Sequence, residues 1–283
     1  MSEPSPFLKV LVGVDGTSTG RDAIALAQRL RAHGGQLTLA HVVLAQSPTY
    51  RNFHATPVWK DRRAMLARER AAIGVTAHLT GMFAASVGSG LHRLAEDCDA
   101  DVLVVGSSGR GRIGRVLVAD NARATVTGAT CPVAVAPHGY TDQAHQISTI
   151  GVGYDGSVEA VAALAVGRCL ARAAGARVLA LTVVNAVAGA LGHGEDPGAT
   201  CRLQERARDR LRSLDGVEGR VAVGEAAVEL LAFGDEVDLL IVGSRGHGPL
   251  RRLVLGSASL QLTREARCPL VIVPRAAVAE PGS

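Results

Sequence analysis

Residues 9–43 read KVLVGVDGTSTGRDAIALAQRLRAHGGQLTLAHVV, and residues 149–184 read TIGVGYDGSVEAVAALAVGRCLARAAGARVLALTVV. The two stretches align with each other, and Asp15 lies opposite Asp155. Both begin with a short apolar run, pass through an Asp-Gly pair and continue into a longer stretch rich in alanine and leucine. The chain therefore contains an internal repeat, and the fold of one copy predicts the fold of the other.

The repeat continues to the end of each half. Residues 100–111, ADVLVVGSSGRG, align with residues 237–248, VDLLIVGSRGHG, and a Cys-Pro pair follows in each half. A period of about 140 residues is too long for a solenoid unit and has the size of a whole domain. The sequence predicts two tandem domains, residues 1–140 and residues 147–283, joined near Gly139–Gln146.

Each half alternates strands with helices. Val10–Val14 is a short β-branched run, and apolar residues then recur at helical spacing; these are Ala23, Ile24, Ala27 and Leu30. Three further apolar runs predict strands buried on both faces, which is typical of parallel sheets; they are Leu37–Val43, Val102–Val105 and Val133–Ala136. We therefore predict an α/β fold of two tandem doubly wound domains, each with a five-stranded, mainly parallel sheet.

Composition excludes several classes of protein. The chain has 283 residues, of which 47% are hydrophobic and 20% charged, which excludes a disordered chain. Its apolar runs fall far short of the roughly 20 residues that a bilayer span needs, and no export signal precedes them, so we expect a cytoplasmic protein without a membrane partner. Scattered basic residues and 3% aromatic residues disfavour nucleic acid binding. Five cysteines without a C-x-x-C pair disfavour a disulfide scaffold or a zinc site.

Three familiar motifs are incomplete in this sequence or have a simpler structural explanation. The only lysines, Lys9 and Lys60, do not form a Walker loop. Residues 151–156 fit G-x-G-x-x-G, but the first two glycines fall inside a predicted strand. Residues 16–20 fit the G-x-S-x-G of a nucleophile elbow, yet no histidine or acid completes a triad, and a serine that caps the following helix is the simpler explanation.

The stretch GSRGHGPLRRLVLGS, residues 243–257, has a pattern that favours a phosphate. It reads G-x2-G-x9-G-S, follows the predicted strand 239–242 and precedes a predicted helix. Gly243 and Gly246 allow the backbone to turn and approach a ligand closely, and Gly256-Ser257 opens a helix whose free N–H groups attract an anion. The arginines of the stretch, Arg245 above all, add positive charge. The alternative is that the glycines are turn residues alone.

These residues resemble the universal stress protein family, whose ATP-binding members carry the same glycine pattern. The resemblance covers nearly the whole chain, once in each half. It implies that ATP lies across the strand ends, with the glycine loop and Ser or Thr on the phosphates and the early Asp and the end of the second strand around ribose and adenine. The residues to which it gives these roles are Asp155, Val183, Gly243, Arg245, Gly246, Gly256 and Ser257. Mg²⁺ would accompany the phosphates without a protein cage of its own.

The first half departs from this pattern. Gly106 and Gly109 are present, but Ala119 and Asp120 replace the final Gly-Ser. A carboxylate repels a triphosphate, so the loop is degenerate and we expect the first-domain site to be weakened or lost. Its weaker candidate residues are Asp15, Val42, Gly106 and Gly109. Asp15 and Asp155 have a second interpretation as caps of the helices that follow them.

The sequence thus predicts an ATP-binding universal stress protein that acts as a nucleotide-responsive stress regulator. No base or metal cluster is placed near the glycine loop, so binding is expected without efficient turnover, although slow ATP hydrolysis is left open. A scaffold for partner proteins, with nucleotide binding incidental or lost, is the alternative. Val133–Ala136 and Leu270–Val273 are expected to pair the two domains within one chain, and a homodimer is left open.

Overall fold

The structure is a computed structural model that describes residues 7–45, 54, 56–107, 125–143, 146–185, 198–244 and 256–274. These residues form ten strands and seven α-helices. They confirm the predicted α/β fold, with two repeats of the same doubly wound pattern. None of the helices in these ranges is long and apolar enough to span a bilayer.

We call β1 to β5 with their helices the first unit. Its elements are β1 (Phe7–Gly13), α1 (Ser18–Leu30), β2 (Arg31–Leu44), α2 (Pro57–Ile73), β3 (His78–Ala84), α3 (Val87–Asp97), β4 (Val102–Gly106) and β5 (Val133–Ala136). The predicted strand Val133–Ala136 has the bounds of β5, whereas β1 ends one residue before Val14. The middle of this unit, where no clear sequence pattern predicts an element, contains α2, β3 and α3.

We call β6 to β10 with their helices the second unit. Its elements are β6 (Thr149–Gly153), α4 (Val158–Ala174), β7 (Arg177–Val184), α5 (Ala199–Arg212), β8 (Glu218–Val223), α6 (Ala226–Gly234), β9 (Leu239–Gly243), α7 (Ser257–Glu265) and β10 (Leu270–Val273). A short 3-10 helix, Tyr140–Gln143, lies between the units, within the stretch where the sequence predicts the linker.

All ten strands belong to one sheet in the order β3-β2-β1-β4-β5-β10-β9-β6-β7-β8. Within each unit neighbouring strands are parallel, so the C-terminal ends of all its strands lie on the same side of the sheet. We call this side the carboxyl edge of the unit. The units meet at β5 and β10, which pair antiparallel with Val271 opposite Ala134. The two carboxyl edges therefore point in opposite directions.

Alternate residues of each strand bury against the two faces of the sheet. Val10 and Val12 of β1 pack into the cluster formed with α1, α2, α4 and α5, whereas Leu11 packs with α3, α6 and α7. Each cluster contains residues of both β5 and β10 and so continues from one unit into the other. All eight residues of β5 and β10 are at most 1% exposed, which makes the junction part of the core.

A buried carboxylate fixes the chain that leaves β5. Asp22 of α1 is 2% exposed and accepts hydrogen bonds from the Gly139 N–H at 2.9 Å and from the N–H and hydroxyl of Thr141 at 2.8 Å each. The aligned residue of the second half is Ala162, so this contact belongs to the linker and not to the repeat. Three bonds to a charged acceptor stabilise the position of the linker against the first unit.

We expect the substitution Asp22→Ala to lower the free energy of unfolding by about 1–3 kcal/mol, because it leaves the N–H groups of Gly139 and Thr141 without their acceptor. Urea denaturation followed by circular dichroism measures the change. The matched control is Asp142→Ala, which removes an exposed carboxylate from the same linker and should cost less than about 0.5 kcal/mol. Equal losses in the two variants would contradict the role given to Asp22.

Candidate functional site

The carboxyl edge of the second unit gathers five of the predicted site residues, which are Asp155, Val183, Gly243, Gly256 and Ser257. Asp155 follows β6, Val183 lies near the end of β7, and Gly243 is the last residue of β9. Strand β6 pairs with β9 on one side and β7 on the other, and Ser257 begins α7 beyond the loop that follows β9. The crevice beside such strand ends is where open α/β sheets bind ligands.

The turn between β6 and α4 is closed by its own side chains. Asp155 Oδ1 accepts a hydrogen bond from the Ser157 N–H at 2.9 Å, and Gly156 has a φ of +81°, which favours glycine. Ser157 is the N-cap of α4, since its hydroxyl accepts from the Ala160 N–H at 3.2 Å. The helix is therefore capped by Ser157, and Asp155 shapes the turn before it.

The end of β9 is held by backbone contacts. The Ser244 N–H donates to the Val273 carbonyl at 2.9 Å, and the Gly256 N–H donates to the Ser244 carbonyl at 2.8 Å. The Ser259 hydroxyl donates to the Gly243 carbonyl at 2.8 Å. These bonds bring the start of α7 back to the carboxyl edge of β9, where the glycine pattern predicted it.

Gly243 has a packing role that the sequence did not reveal. A Cβ at this position would lie 2.7 Å from the Glu159 Cβ and 3.3 Å from the Ala160 backbone nitrogen. The glycine thus lets the first turn of α4 lie directly against the end of β9. In the first unit a Cβ at Gly106 would overlap the Thr19 carbonyl in the same way. Close helix packing accounts for both glycines, and contact of Gly243 with a ligand stays a prediction.

The helix α7 begins without a capping side chain of its own. Its N-cap residue is Gly256, which has no side chain to accept a hydrogen bond from the first turn. Ser257 is exposed. Free N–H groups and the positive end of the helix dipole favour an anion at such a terminus. Glu159, a buried acid that is 5% exposed, lies against Gly243 at the end of β9, and no sequence pattern pointed to it.

Val183 and its counterpart Val42 differ in surroundings. Val42 is 8% exposed, and its methyl groups fill the space beside Gly90 of α3, where a Cβ would lie 2.6 Å away. Val183 is partly buried against the core and leaves part of its surface open. The second unit therefore offers an apolar contact at the strand end that the first unit has buried.

The first unit repeats the turn with different side chains. Asp15 Oδ1 accepts from both the N–H of Thr17, at 3.0 Å, and its hydroxyl, at 2.6 Å, and the Thr17 hydroxyl also lies 2.9 Å from that of Thr19. Gly16 has a φ of +84°. The N-cap of α1 is Thr17 and Ser18 is its first helical residue, so the interpretation of Ser18 as the cap was wrong.

Several predicted residues lie outside the described residues. They are Gly109, Arg245 and Gly246, together with Ala119 and Asp120, on which the degenerate first-domain loop was inferred. Their roles stay predictions. Within the described ranges, no group of three or more histidine, cysteine, aspartate or glutamate side chains is arranged to hold a metal ion.

Cys131 and Cys268, the aligned cysteines of the two Cys-Pro pairs, are free thiols that serve as packing residues in this structure. Loss of hydration on burial raises the pKa of Cys131 to about 11 and that of Cys268 to about 12. Both thiols are therefore protonated at neutral pH, whereas nucleophilic and redox cysteines need the thiolate. The Cys-Pro repeat reflects the shared architecture of the two units.

Comparisons with known proteins agree on one family. A model of the universal stress protein family matches residues 6–137 and again residues 146–274. A universal stress protein of Mycobacterium tuberculosis is 30% identical over 295 residues, covering 96% of this chain and 99% of its own. One of Thermus aquaticus is 38% identical over 133 residues, covering 44% of this chain and 97% of its own. Among solved structures, a universal stress protein from Archaeoglobus fulgidus shares the fold, with a TM-score of 0.68 at 16% identity, covering 94% of this chain and 98% of that one.

We expect Gly243→Ala to destabilise the protein by about 1–3 kcal/mol, because the new methyl group meets the backbone of α4, which has little room to move. Gly153→Ala is the matched control in β6. Its Cβ would meet mainly the side-chain methyl groups of Leu230 and Val242, at 3.0 and 3.2 Å, and these can shift. Thermal and urea unfolding should give a clearly smaller loss for Gly153→Ala. A Gly243→Ala protein as stable as wild type would contradict the packing role.

Proposed function

The chain belongs to the universal stress protein family, and from that premise we propose that it binds ATP, chiefly in the second unit, and acts as a nucleotide-responsive regulator under stress. The observation that carries the proposal is the N-terminus of α7, with Gly256 as its N-cap residue and Ser257 exposed, which returns to the carboxyl edge of β9 beside the strand that leads into Asp155. Cytoplasmic location belongs to the same proposal and rests on the sequence and the family.

The described residues fit a nucleotide in two parts. Ser257 supplies a hydroxyl, and the first turn of α7 supplies backbone N–H groups, which suit phosphate oxygens. The turn at Asp155 and the partly open Val183 supply a carboxylate and an apolar surface, which suit a ribose hydroxyl and a base. Polar groups at one end and apolar contact at the other are typical of small-molecule sites. Gly246 and Arg245 are proposed to complete the phosphate end.

Two contrasts favour the second unit over the first. Val42 is buried where Val183 is partly open. The replacement of Gly-Ser by Ala119 and Asp120 adds a carboxylate to the phosphate end. We therefore propose one dominant site in each chain.

Binding is proposed without efficient turnover. Mg²⁺ is proposed to reach the site on the phosphates, where it would neutralise their charge. A homodimer, if one forms, is proposed to use a surface other than β5 and β10, because these strands already pair with each other within the chain. This internal pairing supports the expectation that the two domains associate intramolecularly.

We expect calorimetric titration with ATP and Mg²⁺ to show one dominant site per chain. Ser257→Ala should weaken ATP binding about tenfold, because a hydrogen bond to a charged group contributes roughly 1.5–3 kcal/mol and the backbone N–H groups remain. The side chain is exposed and begins the helix, so folding should be unaffected.

The control is Asp15→Ala, which alters the aligned turn of the first unit and should leave ATP affinity within a factor of two. Two sites of equal affinity would contradict the preference for the second unit. Absence of binding to the purified protein, together with no nucleotide released on denaturation, would contradict ATP binding and favour a protein-interaction scaffold.

A further inference from the structure

Arg210, a residue outside every motif of the sequence, reaches the turn at Asp155. It lies in α5, the helix that follows β7, and its Nη1 donates to the Asp155 carbonyl at 2.6 Å across 55 residues of sequence. Within the described part of the chain this is the only hydrogen bond shown for its guanidinium group, which carries five N–H donors. The side chain is exposed. It therefore holds the turn and still presents donors to the solvent beside the site.

The guanidinium group lies with its face against Gly156. A Cβ at Gly156 would be 3.1 Å from Cδ, from Nε and from Nη1 of Arg210. These three atoms share one plane, and a point equally distant from all of them at 3.1 Å lies well to one side of that plane. The positive φ of Gly156 favours glycine here, and the opposite face of the guanidinium group is turned away from Gly156.

The first unit has an uncharged residue in this place. There the side chain beside the aligned Gly16 is Met65 of α2, whose Cγ and Sδ would lie 3.1 and 3.3 Å from a Cβ on that glycine. The two units therefore cover the same turn with a thioether in one and a planar cation in the other. Like the other differences between the units, this one leaves the second unit with the side chain that is better suited to bind a nucleotide.

We propose that Arg210 binds the nucleoside end of the ligand in the second unit, an inference that rests on the function proposed above. Its contact with the Asp155 carbonyl places it at the end of the site where the carboxylate and Val183 are proposed to meet ribose and base. Asp155 follows β6, the strand next to β9, and the loop after β9 leads to the phosphate end at Ser257. A guanidinium group has a flat face that stacks on aromatic rings and five N–H donors in a fixed planar arrangement, whereas a lysine ammonium has no flat face to stack.

The test compares three ligands on wild type and variants by competition against a fluorescent ATP analogue: ATP, adenosine and inorganic tripolyphosphate. Arg210→Met, which installs the first-unit side chain, should weaken ATP and adenosine about tenfold each and leave tripolyphosphate within a factor of two. Arg210→Lys, which keeps the charge, should still show most of the loss of affinity for ATP and adenosine. Arg206→Met, one turn earlier on the exposed side of α5, is the matched control and should change none of the three.

The outcomes separate this inference from the function on which it rests. ATP binding by wild type with unchanged affinity in Arg210→Met overturns the role of Arg210 alone. Equal losses of affinity for ATP and tripolyphosphate in Arg210→Met overturn it too, because they indicate a charge effect at the phosphates. Full affinity for ATP and adenosine in Arg210→Lys overturns it for the same reason. Wild type that binds none of the three ligands overturns the proposed function and this inference with it. Urea midpoints of both Arg210 variants within the range of Arg206→Met establish that affinity and not folding has changed.

Discussion

The antiparallel pairing of β5 with β10 is the contact on which the rest of this architecture depends. Each unit alone would expose a fully apolar strand at the edge of its sheet, and such edges pair readily with other chains. Pairing them within one chain buries both strands completely and joins the two hydrophobic clusters across the junction. Because the units meet antiparallel, their carboxyl edges point apart, so each candidate site is built by one unit alone.

The two units share the same backbone arrangement but differ in the side chains around it. The Asp-Gly turn after the first strand of each unit has the same left-handed glycine, and the glycine that ends β4 or β9 admits the next helix in both. These features serve folding and so persist in either copy. The side chains around them differ: hydroxyls and Met65 enclose the turn in the first unit, whereas Ser157 and Arg210 enclose it in the second. Divergence in chemistry on a fixed scaffold is consistent with one dominant site.

The sequence predicted the central strands well because strands buried on both faces appear as continuous apolar runs, and β5 has the predicted bounds. It did not predict β3 and β8, which lie at the sheet edges, are only partly buried and carry polar residues, as in EGRVAV. For the site, the pattern located Gly256-Ser257 at a helix start, but it did not show that Gly243 packs against Glu159. Arg210 was not predictable, because its contact depends on how α5 crosses the sheet and no local pattern records that crossing.

We propose that the carboxyl edge of the second unit holds a nucleotide between the turn at Asp155 and the start of α7. The decisive experiment is a crystal structure of the protein grown with ATP and Mg²⁺. We expect electron density for phosphates at Ser257 and for the nucleoside beside Asp155 and Val183, with the first unit unoccupied. Density at the first unit alone, or a second-unit crevice filled by the protein's own side chains, would contradict it.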